Sequence, residues 1–392
     1  MKSTVVTLAL LGAWPLAMAR GALPLSSLPM MDGALSGVFH FNASSPALAW
    51  HLAGRTTGAG MLTLEVSVDG KGVGLHGRAC IDPATGDGTW QVTEVHFDLA
   101  SWSAALTGDI RVLAGASMTG TLTGTGQGTI KHQVVDGTAT LTLADGGMTD
   151  DHKKISCQGI DARIVLAGFH PLRTKPGQAI TVQSISAEGA ELSNVKIPFA
   201  LAPGEVQVGA ADGTVFGGKF ATEPLVFALA QPSIKFVVHA KDFELAQIRK
   251  AADPSGNVTR QAMGKLSGKF TAYYDQSGFR VGPGALVMRK GEVAQILFQP
   301  THKLFSLYIP PMVFDETGLP KIEAGKVALV IKTFRVKLYP GGERSNRIAL
   351  IQFDVDSSDP RHPAAVSFDI NIYNGSIQDL IDHGADILRA FK

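Results

Sequence analysis

Between Met61 and Asp69 apolar and polar residues alternate without a slip, Leu62, Leu64, Val66 and Val68 against Thr63, Glu65, Ser67 and Asp69. Successive side chains of an extended strand leave opposite faces of the sheet, so a period of two makes one apolar face and one wetted face. A strand buried on both faces would instead be apolar throughout. The pattern returns at Val95, Phe97 and Leu99, set against Glu94, His96 and Asp98, and at Ile234, Phe236 and Val238. It returns again at Val366, Phe368, Ile370 and Ile372, set against Ser367, Asp369 and Asn371. Strands of this kind belong to antiparallel sheets with one face toward water.

Turn chemistry divides the strands. Glycine supplies 44 of 392 residues, about 11% against an average near 7%, and the chain is too apolar (45% hydrophobic) for a solvated, disordered polymer. Asp69-Gly70, Asp87-Gly88, Asp136-Gly137, Asp145-Gly146 and Asp212-Gly213 are pairs suited to hairpins that need positive φ. The Gly- and Thr-rich stretch from Ala114 to Asp150 is expected to form consecutive short hairpins, with Leu141 and Leu143 keeping the period. Helices are few. One is expected from Phe243 to Ala252, N-capped by Asp242 and stopped before Asp253-Pro254. The other, from Ser376 to Phe391, gathers Ile377, Leu380, Ile381, Ile387, Leu388 and Phe391 on one stripe. Its polar side carries Asp379, Asp382 and Asp386, so it lacks the basic face of a membrane-surface helix.

The first residues read as an export signal: Lys2, an apolar run from Val5, and the small-x-small pattern Ala17-Met18-Ala19. Cleavage there is expected, giving a signal peptide over 1–19 and a chain that works outside the cytoplasm; the alternative is a retained membrane anchor, for which the run from Ser3 to Ala19 is short. Cys80 and Cys157 stand in strand-like segments; in an oxidising compartment they are candidates for one bridge, the alternative being two separate buried thiols.

Charge and motifs exclude several classes. Lys+Arg 35 against Asp+Glu 34 leaves no basic excess for a nucleic-acid partner. There is no Gly-x-Ser-x-Gly elbow, His-Glu-x-x-His pair or P-loop. Gly124-Thr125-Gly126-Gln127-Gly128 has the wrong spacing for a dinucleotide loop, and Asp150-Asp151-His152, followed by Lys153 and Lys154, reads as a solvated turn before a metal site. No catalytic constellation, metal or cofactor is expected.

A further set of motifs begins near Val206. Val215-Phe216-Gly217-Gly218-Lys219-Phe220 is followed by Glu223-Pro224, by the strand Ile234 to Val238, and by Phe243-Glu244-Leu245-Ala246-Gln247-Ile248. Then come Gly264-Lys265-Leu266-Ser267-Gly268-Lys269-Phe270 and Phe279-Arg280-Val281-Gly282-Pro283-Gly284, with closing segments Val327 to Leu338 and Val366 to Leu380. In order and spacing these resemble the C-terminal part of the YdbH proteins, relatives of the AsmA and TamB families. The resemblance covers 206–392 and leaves 20–205 as a β-rich region without a family motif.

That resemblance implies a mainly β fold: an elongated, twisted antiparallel sheet forming an open, taco-like groove, with a C-terminal amphipathic helix. It implies a non-enzymatic periplasmic envelope protein that carries phospholipid between inner and outer membranes. The groove positions would be Leu62, Leu64, Val66, Val68, Val95, Phe97, Ile234, Phe236, Val238, Val366, Phe368, Ile370 and Ile372. A small outer-membrane lipoprotein, or another envelope protein at the C-terminal end, would be the protein partner. Two other readings compete. The same faces could close on one another as the dry core of a β scaffold. A carbohydrate-active enzyme would need paired carboxylates and aromatic platforms, which an aromatic content of 7% supplies thinly.

Overall fold

The computed structural model describes residues 33–40, 45–57, 60–108, 115–132, 134–151, 155–187, 190–228, 234–252, 256, 259–275, 278–300, 306, 312, 319–339, 347–357 and 366–373. The fold is mainly β: 23 described strands form one open antiparallel sheet, with three short helices among the described residues. The chain divides into two compact units, 1–185 with 196–208 and 226–231, and 186–195 with 209–225 and 232–392.

In the first unit the strands are β1 (Gly33–His40), β2 (Ala47–Thr56), β3 (Leu62–Gly70), β4 (Val73–Ile81) and β5 (Gly88–Asp98). Helix α1 (Leu99–Gly108) follows, and then β6 (Ser117–Lys131), β7 (Val134–Asp150) and β8 (Ile155–Phe169). From β1 to β8 every strand pairs antiparallel with the next, a plain meander. The short β9 (Leu172–Thr174) and then β10 (Gln178–Ala187) both pair with β8. Further on, β11 (Ala190–Ala202) forms a hairpin with β12 (Glu205–Val208) through Phe199↔Val208 and Leu201↔Val206.

Three local expectations are corrected here. Ala114 to Asp150 is not a series of short hairpins but mostly one long hairpin, β6 with β7, of 15 and 17 residues. Its glycines make room for a large side chain instead of turning the chain. Gly126, Gly128 and Gly137 lie under the indole of Trp90: a Cβ at Gly128 would sit 2.7 Å from Trp90 Nε1, and one at Gly137 2.9 Å from Trp90 Cζ2. The Asp-Gly pairs are likewise not hairpin centres. Asp136-Gly137 and Asp145-Gly146 lie inside β7, the latter at a register shift where Asp145 has φ 51°, and the β3–β4 turn is Lys71-Gly72, just past Asp69-Gly70. Third, α1 was not expected. Asp98 caps it, accepting from the Ala100 N–H at 3.1 Å and the Ser101 hydroxyl at 2.7 Å. The hydroxyl bond leads in holding the Asp98 carboxyl below its ordinary pKa.

From residue 209 onward the second unit carries β13 (Asp212–Val215) and β14 (Gly218–Thr222). Next along the chain, β15 (Leu225–Ala228) pairs with β12. The second unit continues with β16 (Ile234–Glu244), helix α2 (Leu245–Ala252), β17 (Thr259–Met263), β18 (Lys265–Asp275) and β19 (Gly278–Met288). It ends with β20 (Ala294–Phe298), helix α3 (Leu319–Glu323), β21 (Leu329–Leu338), β22 (Arg347–Ser357) and β23 (Val366–Tyr373). The main ladder runs β13, β14, β16, β18, β19, β21, β22, β23. A side ladder, β17 with β20, joins the N-terminal half of β21.

The helix expected from Phe243 starts two residues later. Asp242 is no cap: it sits in β16 at a bulge with φ 59°, its N–H donates to Ser267 Oγ, and its carboxylate meets Arg289 at 3.2 Å. Phe243 stays in the strand because its ring is buried against Phe216, centroids 5.8 Å apart. The expected helix over 376–391 and the signal segment lie outside the described residues.

Candidate functional site

Antiparallel partners share a face, so the register shows which apolar positions line up. In the first unit Leu52, Val66, Gly77 and Val92 form one row across β2 to β5, and Trp50, Val68, Leu75 and Val95 form the next. The rows continue through Gly124, Leu141 and Ile164 on β6 to β8. The opposite face carries His51, Ser67, His76 and Glu94 in one row and Glu65, Arg78 and Gln91 in another. No charged residue enters these apolar rows. At the start of the ladder Leu35 and Phe39 extend the apolar face onto β1, where they stand 48% and 38% exposed.

Much of this face is covered by packing within the unit. Trp90 packs on Phe169 at the end of β8, centroids 5.7 Å apart, and joins Leu64, Ala79 and Ile81 in one buried cluster. Its indole N–H donates to the Asp136 carbonyl at 3.2 Å. The Asp136 carboxylate in turn accepts the N–H groups of Phe169 and Gly137, both at 2.8 Å, which hold its pKa below the ordinary carboxylate range. Helix α1 covers the other end: Trp102 packs on Phe97, centroids 5.3 Å apart, in a cluster with Leu48 and Val73. Trp102 donates its indole N–H to the Lys71 carbonyl at 3.0 Å.

The second unit repeats the arrangement. Phe236 is opposite Ala272, and Ala272 opposite Val281. A longer row runs Ala240, Gly268, Leu286, Val336, Ile351 and Ile370, from β16 through β18, β19, β21 and β22 to β23. Helices α2 and α3 close part of this side: Leu245, Leu319 and Ile322 are buried with Phe243, Leu266, Leu329 and Ile331.

The thirteen groove candidates therefore fall into three groups. Leu64, Val66, Val95, Phe97 and Val238 are buried. Leu62, Val68, Ile234 and Phe236 are half-buried. Val366, Phe368, Ile370 and Ile372 pair with Val355, Phe353, Ile351 and Ala349, so backbone register places them on the same face of the ladder as Ala240 and Phe236. Sequence reasoning passed over Leu48, Trp50 and Leu52, although they alternate with Ala49 and His51 in the same period of two. Cys80 and Cys157 are both free thiols. They stand on β4 and β8, four ladder steps of about 4.8 Å apart, whereas a bridge needs Cα atoms within roughly 7 Å. Burial raises the Cys157 pKa.

A family model described as YdbH-like, intermembrane phospholipid transport protein YdbH, matches residues 14–291, more than two thirds of the chain. The chain belongs to the YdbH-like family. The match runs through both the first unit's meander and the start of the second unit, so the family signal is not confined to 206–392. It reaches into 20–205, where no family motif was expected. The reason is that a sheet of alternating residues carries its likeness in register and spacing, with few fixed side chains to quote. Neither the curated proteins nor the solved structures contain a match. The YdbH-like family is one of lipid transport, not an enzyme family.

Proposed function

We propose that this chain holds phospholipid acyl chains along the apolar face of its open sheet and passes them between the inner and outer membranes. The observation that carries the reading is the row from Ala240 to Ile370, together with its counterparts in the first unit: successive strands meet in register with no charge on that face. An acyl chain needs a continuous apolar strip and no specific partner, and each methylene removed from water contributes about 0.8 kcal/mol. The half-buried positions Leu62, Val68, Ile234 and Phe236 are the contacts that remain for a tail, while Leu64, Val66, Val95, Phe97 and Val238 form the floor beneath. Val366, Phe368, Ile370 and Ile372 continue the strip on β23. Head groups stay in water along the open side. The reading places the chain in the periplasm, exported by the segment 1–19, with a small outer-membrane lipoprotein as candidate partner at its C-terminal end.

A scaffold with a dry core is the second reading, favoured by the sealing of Leu64, Ile81, Trp90 and Phe169 into one cluster. Lipid extraction and native mass spectrometry of the purified chain separate the two. Co-purifying phospholipid is expected; a clean apo mass after mild purification from membranes, with no uptake from added vesicles, refutes transport.

A further inference from the structure

The polar face of the second unit is not evenly mixed. Lys219 on β14 lies directly opposite Lys241 on β16. One row over, His239 is opposite Lys269 on β18, and that row continues through Ala285 to Lys337 on β21. Arg335 follows on the same face of β21, and Lys235 on β16, its ammonium 5.9 Å from the Tyr273 ring centre. Six cations thus share one face across four strands, in a chain whose formal net charge is only +1. All but Lys337 are exposed, and Lys337 is half-buried. Among the described residues no carboxylate lies within 4.0 Å of Lys219, Lys241, Lys269, Arg335 or Lys337. Carboxylates flank this cluster: Glu223 pairs with His239 at 2.9 Å, and Asp354 and Asp369 stand beyond it on β22 and β23.

We infer that this face docks on an anionic bilayer surface. Like charges set directly opposite each other on neighbouring strands destabilise a sheet, so the Lys219–Lys241 pair is a cost that an external anion offsets. Five of the six cations are lysines, compact point charges without the planar fork that reads a fixed carboxylate or phosphate in two-point fashion. They project from one sheet face and are spread over four neighbouring strands. A spread of point charges suits a laterally mobile layer of anionic head groups better than one acidic peptide. Each basic residue held near such a surface contributes about 1 kcal/mol, roughly fivefold in partition, and the attraction is cut by salt within about a Debye length.

The test is sedimentation of the purified chain with vesicles of phosphatidylcholine alone and of phosphatidylcholine with phosphatidylglycerol. Binding is expected only to the second kind, weakening steeply from low to physiological salt. Replacing Lys219, Lys241, Lys269 and Lys337 together by Gln lowers that partition several hundredfold, about fivefold per residue. The same replacement leaves β-sheet circular dichroism and co-purifying phospholipid unchanged, so failure of this docking face is distinguishable from failure of the acyl-chain reading. Four cations removed from the first unit (Arg55, Arg78, Lys131 and Arg163) serve as the control and leave vesicle binding within a few-fold. Equal binding to uncharged vesicles, no binding to anionic ones, or undiminished binding of the quadruple variant overturns the inference. Capture of an acidic protein in place of vesicles overturns it too.

Discussion

Arginine introduced at Leu64 and at Phe236 puts the same cation on two apolar faces that differ in cover. Leu64 is 5% exposed within the Trp90 cluster. The substitution forfeits the burial of a whole leucine, about 1.5–3 kcal/mol, and buries a charge with no partner at a further several kcal/mol. Domains hold only about 5–15 kcal/mol in total, so Leu64→Arg unfolds the first unit. Phe236 is half-buried and faces Ala272. Its replacement loses about half the value of a buried phenylalanine, roughly 1–1.5 kcal/mol, while the guanidinium reaches water past its own stem. At about 2–4 °C per kcal/mol for a unit of this size, the melting point falls by about 2–6 °C. The same cation costs a bound acyl chain about 2.5–3.5 kcal/mol, so co-purifying phospholipid drops roughly a hundredfold. Thermal melts followed by circular dichroism, paired with lipid extraction and mass spectrometry, read both quantities. If Phe236→Arg melts as early as Leu64→Arg, that face is a closed core and has no place for lipid. If it stays folded with its phospholipid undiminished, acyl chains bind elsewhere.

Three further outcomes are expected. Gly126→Ala places a Cβ 3.1 Å from Trp90 Cζ3 and costs about 1–3 kcal/mol; in a Trp90→Leu background most of that cost disappears, and an additive double-mutant cycle in urea melts would refute the packing. Asp136 has a folded pKa below its ordinary 3.8, so its two N–H bonds contribute stability above that pH and lose it as pH falls through the folded value. Acid titration followed by Trp90 fluorescence should therefore show Asp136→Asn less stable than the parent near neutrality and the gap closing below pH 3.8; a constant gap contradicts the assignment. Both thiols react with maleimide in denaturant without prior reduction, and Cys157 reacts slowly in the folded chain because burial disfavours its thiolate; a chain that takes up no label until it is reduced would mean a bridge.

The alternation of Leu62 to Val68 was legible because a strand's two faces are a local property of backbone geometry, and any segment with that period declares its wet and dry sides unaided. The same holds for Val95, Ile234 and Val366 with their neighbours. Helix α1 was partly legible: Asp98 precedes Leu99, Trp102 and Leu106, a capped stripe at helical spacing, hidden because Leu99 continued the strand period of Phe97. The glycines of β6 and β7 misled for a different reason. Gly126, Gly128 and Gly137 answer to Trp90, which reaches them only across the strand pairing.

Sequence by itself therefore determined that this chain makes one-sided strands and which residues belong to each side, since that follows from the period of the backbone. Only the tertiary structure decided which dry residues are sealed. Bulges such as those at Asp145 and Asp242, and the placing of Trp90 on Phe169, depend on partners tens of residues away, and in the folded chain Leu64 is buried while Phe236 is half-buried.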